Sequence, residues 1–237
     1  MGQVYSLQVN YARQPTVDTL RRTVDTYFPK AEAAAQRAIQ LDPTLADGYW
    51  ALGGVLARRG KWLMAEELYS KALALDPNNP EALSRYSNLL ANLGRLKEAL
   101  PMKQQVLALE PYVPGYRQDA GETLWLNGQN DAAVTMLRGL APDVIAGQID
   151  LAQVYASTGR YSDAADVLQK INLDSLVPAS VNPTPAIAAR LLRTAPKSSA
   201  SPQSLPHLAG LGFIYLYIGA TERTLEYYEK TAEAGFL

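Results

Sequence analysis

Three prolines close three similar phrases, Leu41-Asp42-Pro43, Leu75-Asp76-Pro77 and Leu109-Glu110-Pro111, and successive prolines stand 34 residues apart. Gly60, Gly94 and Gly128 keep the same interval of 34, Gly159 follows after 31, and Gly219 after a further 60. A period of this length marks one supersecondary unit repeated along the chain, each copy burying its apolar face only against its neighbours. Other columns hold register with the glycines. Five residues after each comes Ala65, Ala99, Ala133, Ala164 or Thr224, and four before comes Leu56, Leu90, Leu124, Tyr155 or Tyr215. Seven before stand Gly53, Ser87, Gly121, Ala152 and Gly212; eight before stand Leu52, Tyr86, Ala120, Leu151 and Leu211.

Each column has a mechanical reading. The apolar spacing i, i+3, i+4, i+7 is that of one helical face. The glycines fall between two such segments, where a tight turn or a positive φ is easiest without a Cβ. The small residues let two helices approach closely. The closing proline cannot continue a helix and pushes its predecessor out of the α region. Each unit therefore reads as helix A, a short turn, helix B and a stop.

This pattern resembles the tetratricopeptide repeat, whose period is 34 residues. The resemblance implies an all-α fold, a right-handed superhelical solenoid of about six antiparallel helix pairs. Residues 44–77 are the clearest copy, with Tyr49, Leu52, Gly53, Leu56, Gly60, Ala65, Tyr69, Ala72 and Pro77. Residues 78–111 keep most columns, but Lys103 stands where a large apolar side chain is expected, a gap for Met102 to fill, and Pro101 lies near the start of helix B. Residues 112–143 and 144–171 are slightly short copies, 16–43 a degenerate first copy after an extension at 1–15, and 206–237 a final one. Between them, 172–205 is a Pro/Ser-rich insertion, with Ala186–Thr194 reading as a short helix.

In the family, helix A lines the concave face. Carried onto this sequence, the inward positions offer Trp50, Ser84, Asn88, Gln118, Glu122, Trp125, Ile149 and Gln153 as partner-binding residues, followed by Ala209, Phe213 and Leu216 in the last copy. Trp50 and Trp125 suit anchoring of a peptide or protein, since buried aromatics carry much interface energy; the competing reading packs each on a neighbouring repeat. Asn88, Gln118 and Gln153 suit hydrogen bonds to an extended backbone. Chaperone-binding members clamp a terminal carboxylate with Lys, Asn and Arg, and these positions lack the cations. Recognition by aromatic and amide contacts follows.

Composition removes whole classes of chemistry. The chain of 237 residues has no cysteine and one histidine, His207, so thiolate and His–His metal sites are excluded within it. No metal or cofactor is expected. A formal net charge of −1 disfavours a broad grip on nucleic acid. Gly53-Gly54 and Gly210-Leu211-Gly212 lie in helix A without the Lys-Ser/Thr of a phosphate loop. The longest nearly apolar stretch, Leu208–Ala220, is too short to span a bilayer, and no secretory signal opens the chain. Met1–Ser6 fits the loose myristoylation pattern without a second anchoring signal.

The leading reading is a non-enzymatic module that binds a peptide or protein on the concave helix-A face, in the cytoplasm or, with a preceding segment, the periplasm. The alternatives are a regulatory region of a larger bacterial protein, as in winged-helix regulators and adenylate cyclases, whose repeats 38–99 resembles, or the repeat region of a glycosyltransferase or secretion system. No polar capping helix follows the aromatic-rich final copy, so a homodimer through that end is also expected.

Overall fold

A computed structural model describes residues 17–171, 184–195, 205, 206, 208 and 211–233. The expected features at 1–15, His207, Ala209, Ala234–Leu237 and most of the insertion lie outside the described residues. Twelve helices are described: α1 (Val17–Leu41), α2 (Ala46–Arg58), α3 (Trp62–Leu75), α4 (Pro80–Asn92), α5 (Leu96–Leu109), α6 (Pro114–Leu126), α7 (Asn130–Arg138), α8 (Ile145–Ser157), α9 (Tyr161–Gln169), α10 (Thr184–Leu192), α11 (Phe213–Tyr217) and α12 (Thr221–Glu233). No strand occurs among the described residues.

The turn glycines do what the spacing requires. Gly60, Gly94, Gly128, Gly159 and Gly219 take φ between 73° and 77°, and no other described residue has a positive φ. Each turn closes the same way: Lys61, Arg95, Gln129, Arg160 and Ala220 donate their backbone N–H to the carbonyl five residues earlier, at 2.8–2.9 Å. This is the Schellman closure, in which a left-handed residue satisfies the last helical carbonyls. Nothing lies within 4 Å of a Cβ built on Gly94, so a side chain there meets only backbone strain. Gly94→Ala is expected to cost about 1 kcal/mol, and Gly94→Asn less, because asparagine tolerates the left-handed region. Urea midpoints of the two variants check the ranking.

The chain divides into two compact units, Met1–Asp119 and Ala120–Leu237. In the first, α2 packs on α3, α4 on α5, and α3 on α4, with α1 against α2. Its core joins Trp50, Leu56, Ala65, Tyr69, Ala72, Ala82 and Leu89. The Tyr69 ring lies against Gly53, 3.0 Å from a Cβ built there, and stacks on Tyr86 with centroids 5.9 Å apart. Burial pushes the Tyr69 hydroxyl up to about 12. Between repeats, Arg95 and Tyr86 both donate to Glu66, and Tyr116 to Glu81.

Two sequence expectations are corrected here. Residues 17–41 form one continuous helix rather than a helix pair, with Pro29 inside it. A proline removes one N–H and bends a helix, but reversal needs a residue at positive φ, and no glycine stands there. In the second repeat Met102 is only half-buried and does not fill the apolar gap; Lys103 itself occupies it, 4% exposed.

In the second unit α8 packs on α7 and α9, while α10 packs on α9 and α11. The insertion helix begins two residues before its expected start, with Pro185 in its first turn, and Arg193 just beyond its end donates to Asp166 and Gln169 on α9. Tyr215 holds the approach to α11: its hydroxyl donates to the Pro206 carbonyl and accepts from the Leu208 N–H. The last hairpin, α11 and α12, thus stands next to α8 despite the interval of 60 residues between glycines.

Candidate partner-binding surface

The sequence-predicted residues fare differently in the two units. Trp50 is 4% exposed, sits in the core beside Ala82 and Leu89 of the next repeat, and donates its indole N–H to Asp47 at 2.9 Å. Asp47 also accepts from Asn79, so the indole is part of the repeat junction. Of its two readings, packing on the neighbouring repeat is the one the geometry realises. Ser84 is buried at 8% and lends its carbonyl to Ser87. Asn88 is half-buried with both ends of its amide in use: the oxygen accepts from Lys103 and the nitrogen donates to Asp119 at 2.8 Å. Lys103 replaces the Tyr69 of the preceding copy, and Ser87 replaces Gly53 opposite it. Ser84, Ser87, Lys103, Val106, Tyr116 and Asp119 line a narrow crevice around this contact. Gln118 is half-buried and Glu122 exposed, and neither is without an intramolecular partner.

The helix-A face of the second unit is more open. Trp125 is half-buried, and its indole N–H donates to Ser157 Oγ at 2.9 Å. Ile149, Gln153 and Ser157 fall at i, i+4 and i+8 on α8, one above another on one face. Ile149 and Gln153 are half-buried, and among the described residues no hydrogen bond holds the Gln153 side chain. From α11, Tyr217 reaches the same serine, and its hydroxyl is raised above the ordinary tyrosine range, chiefly by burial. Phe213 is buried at 5% and meets Tyr217 edge-on, while Leu216 is 50% exposed. The arrangement is an indole and a phenol flanking a serine, with a carboxamide one turn away.

Sequence reasoning missed Ser157 and Tyr217. Both stand two residues before a turn glycine, one position beyond the columns chosen as inward-facing. The matching position of the glycines supplied the signal, since the same column faces the same way in every copy. Sequence reasoning also missed the Asn88–Lys103–Asp119 contact, because Lys103 comes from helix B of the repeat and Asp119 from the next.

Chemistry beyond binding finds no cluster. Among the described residues no group of three or more His, Cys, Asp or Glu is placed to hold a metal ion, and no helix is long and apolar enough to cross a membrane.

Comparison with known proteins bears on the fold. Residues 56–111 match the family model described as tetratricopeptide repeat. No curated protein sequence matches. Among solved structures, the chain is similar to PilF of Pseudomonas aeruginosa at a TM-score of 0.62 and 19% identity, covering 96% of this chain and 97% of that one. It is similar to MamA from Desulfovibrio magneticus RS-1 at 0.56 and 20% identity, covering 71% and 92%. A third is YrrB, titled a tetratricopeptide protein with an unusual peptide-binding site, at 0.51 and 20% identity, covering 72% and 91%.

Proposed function

We propose, for a chain built of tetratricopeptide repeats, that its function is non-catalytic: it holds a peptide or protein segment on the helix-A face of the second unit. The observation that carries this reading is Trp125, half-buried and fixed by Ser157, with the half-buried Gln153 one turn of α8 from that serine and its side chain without a hydrogen-bonding partner among the described residues. A tethered indole gives contact area at little cost in side-chain entropy, and a free carboxamide pairs with both a backbone N–H and a C=O. Tyr217 and Ile149 extend the apolar floor. Trp50, Ser84 and Asn88 support the scaffold rather than the contact.

The peptide-binding title of YrrB is in keeping with this use of the fold and says nothing of which segment is taken here. Replacing Trp125 by alanine is expected to cost about 2 kcal/mol of partner affinity, near 30-fold, as for a central aromatic anchor. Gln153→Ala is expected to cost about 1 kcal/mol. The measurement is titration of a peptide selected on the wild-type chain, followed by fluorescence, with helical circular dichroism as the folding control. Equal affinity for the double variant would sink the reading. Exposed Leu225 and Tyr228, at 60% and 40%, extend the proposal to contact between copies through the final hairpin, read by light scattering against concentration.

A further inference from the structure

The short repeats of the second unit leave a groove on their helix-B side. Helices α7 and α9 have nine residues each, against fourteen in α3 and α5. Both pack on α8, and the space beside it is a cleft of about 410 Å³. Gln148, Leu151 and Tyr155 of α8 line it, with Arg138 at the end of α7 and Asp166 and Lys170 from the α9 side. Leu140 tucks against Gly147 to form the edge, its Cδ1 only 2.3 Å from a Cβ built on that glycine.

Two observations say what the groove takes. The first is charge. Its carboxylates are already matched: Asp163 pairs with Arg160 at 2.6 Å and Asp166 with Arg193 at 2.8 Å. Arg138 lies over the Tyr155 ring at 5.5 Å. Among the described residues neither Arg138 nor Lys170 forms an ion pair, so the lining carries two uncompensated positive charges. The second is an orphan. Tyr155 is 2% exposed, and its hydroxyl is the buried side-chain oxygen without a hydrogen-bond partner among the described residues. A buried polar group without a partner is costly unless something else supplies one. Arg160, its guanidinium carbon 4.3 Å from the ring centroid, helps to fix the phenol in place.

We propose that this groove binds an acidic peptide segment, with a glutamate or aspartate carboxylate held by Arg138 and Lys170 and an acceptor supplied to the Tyr155 hydroxyl. The site shares α8 with the Trp125 surface but uses other columns of it, Gln148, Leu151 and Tyr155 rather than Ile149, Gln153 and Ser157, so either can fail without the other. A purely structural role competes with it: both cations stand at helix C-termini, where positive charge favours the helix dipole. That role moves stability and leaves peptide affinity alone.

The test titrates the full chain at low ionic strength with N-acetyl-(Glu-Gly)4-amide and with its glutamine counterpart. The glutamate peptide is expected to bind about tenfold more tightly, because charge-assisted hydrogen bonds are the stronger ones, and to weaken with salt. Arg138→Ala with Lys170→Ala is expected to remove about tenfold of that affinity. Tyr155→Phe is expected to remove about threefold or more while leaving the melting temperature unchanged or higher, since the lost hydroxyl had no partner in the free chain. Equal binding of the two peptides, no binding of either, or unaltered affinity in Tyr155→Phe would each overturn the proposal. So would concentration-dependent association of the chain that is lost in the double variant without peptide binding, which would assign the groove to a second copy.

Discussion

Asp119→Leu is expected to destabilise the chain by about 3 kcal/mol, because removing one partner of a buried charge leaves the other uncompensated. Lys103 is 4% exposed at its side chain and Asp119 is 30%, with Nζ and Oδ2 3.9 Å apart. Asn88 bridges them, accepting from the lysine and donating to the aspartate. The same position holds Tyr69, Leu137 and Leu168 in other copies, all buried. Lys103→Leu is therefore expected to be close to neutral, within about 1 kcal/mol, since replacing a buried charge by a fitting apolar group often is. It leaves Asp119 partly in water, where a carboxylate is at ease.

The two changes together are expected to recover most of the loss of Asp119→Leu, giving a coupling of about 2 kcal/mol for residues in one network. Urea denaturation of the wild type, both single variants and the double completes the cycle. Additive losses would show that Lys103 is not held by Asp119. A polar contact at a position that elsewhere is apolar also disfavours a shift of repeat register, because a shift would set the Lys103 ammonium against partners that fit Tyr69, Leu137 or Leu168.

Gly212→Ala and Gly54→Ala are expected to have opposite signs, although both change a glycine of right-handed backbone to alanine. A Cβ on Gly212 would lie 2.2 Å from Cδ1 and Cε1 of Tyr227. That ring cannot simply retreat: it meets Tyr215 at 6.1 Å and Tyr228 at 5.4 Å between centroids. Overpacking of this kind costs about 2 kcal/mol. A Cβ on Gly54 meets its nearest atom, the Tyr69 hydroxyl, at 3.7 Å, ordinary contact, within the interior of α2. Alanine there gains about 1 kcal/mol from helix propensity. Thermal melts of the two variants decide it; a shared direction would mean that propensity rather than packing governs the small-residue columns.

Legibility from sequence follows the range of the cause. A left-handed turn is decided by the one residue that must adopt it, so each of the five glycines marks its own turn. Pro43, Pro77 and Pro111 likewise mark stops, because a missing N–H acts where it stands. The small columns at Ala65, Ala99, Ala133 and Ala164 are all fully buried, as a repeated close approach requires. Of the proposed contact residues, Trp125, Ile149 and Gln153 stay accessible. Trp50 and Ser84 do not, and the half-buried Asn88 has both ends of its amide taken by Lys103 and Asp119, contacts that depend on helices other than its own.

The chain's own order of residues thus determined the helical hairpins, their period and their turns, all consequences of local sterics and of a face that must be buried. The tertiary structure decided which side chains remain for a partner. It carried α1 through Pro29 and put Lys103 inside. It placed Tyr217 beside Ser157 and left Tyr155 without an acceptor at a groove opened by two short helices. Each of these depends on a neighbour distant in sequence, and a periodic pattern specifies where a side chain points but not what stands opposite it.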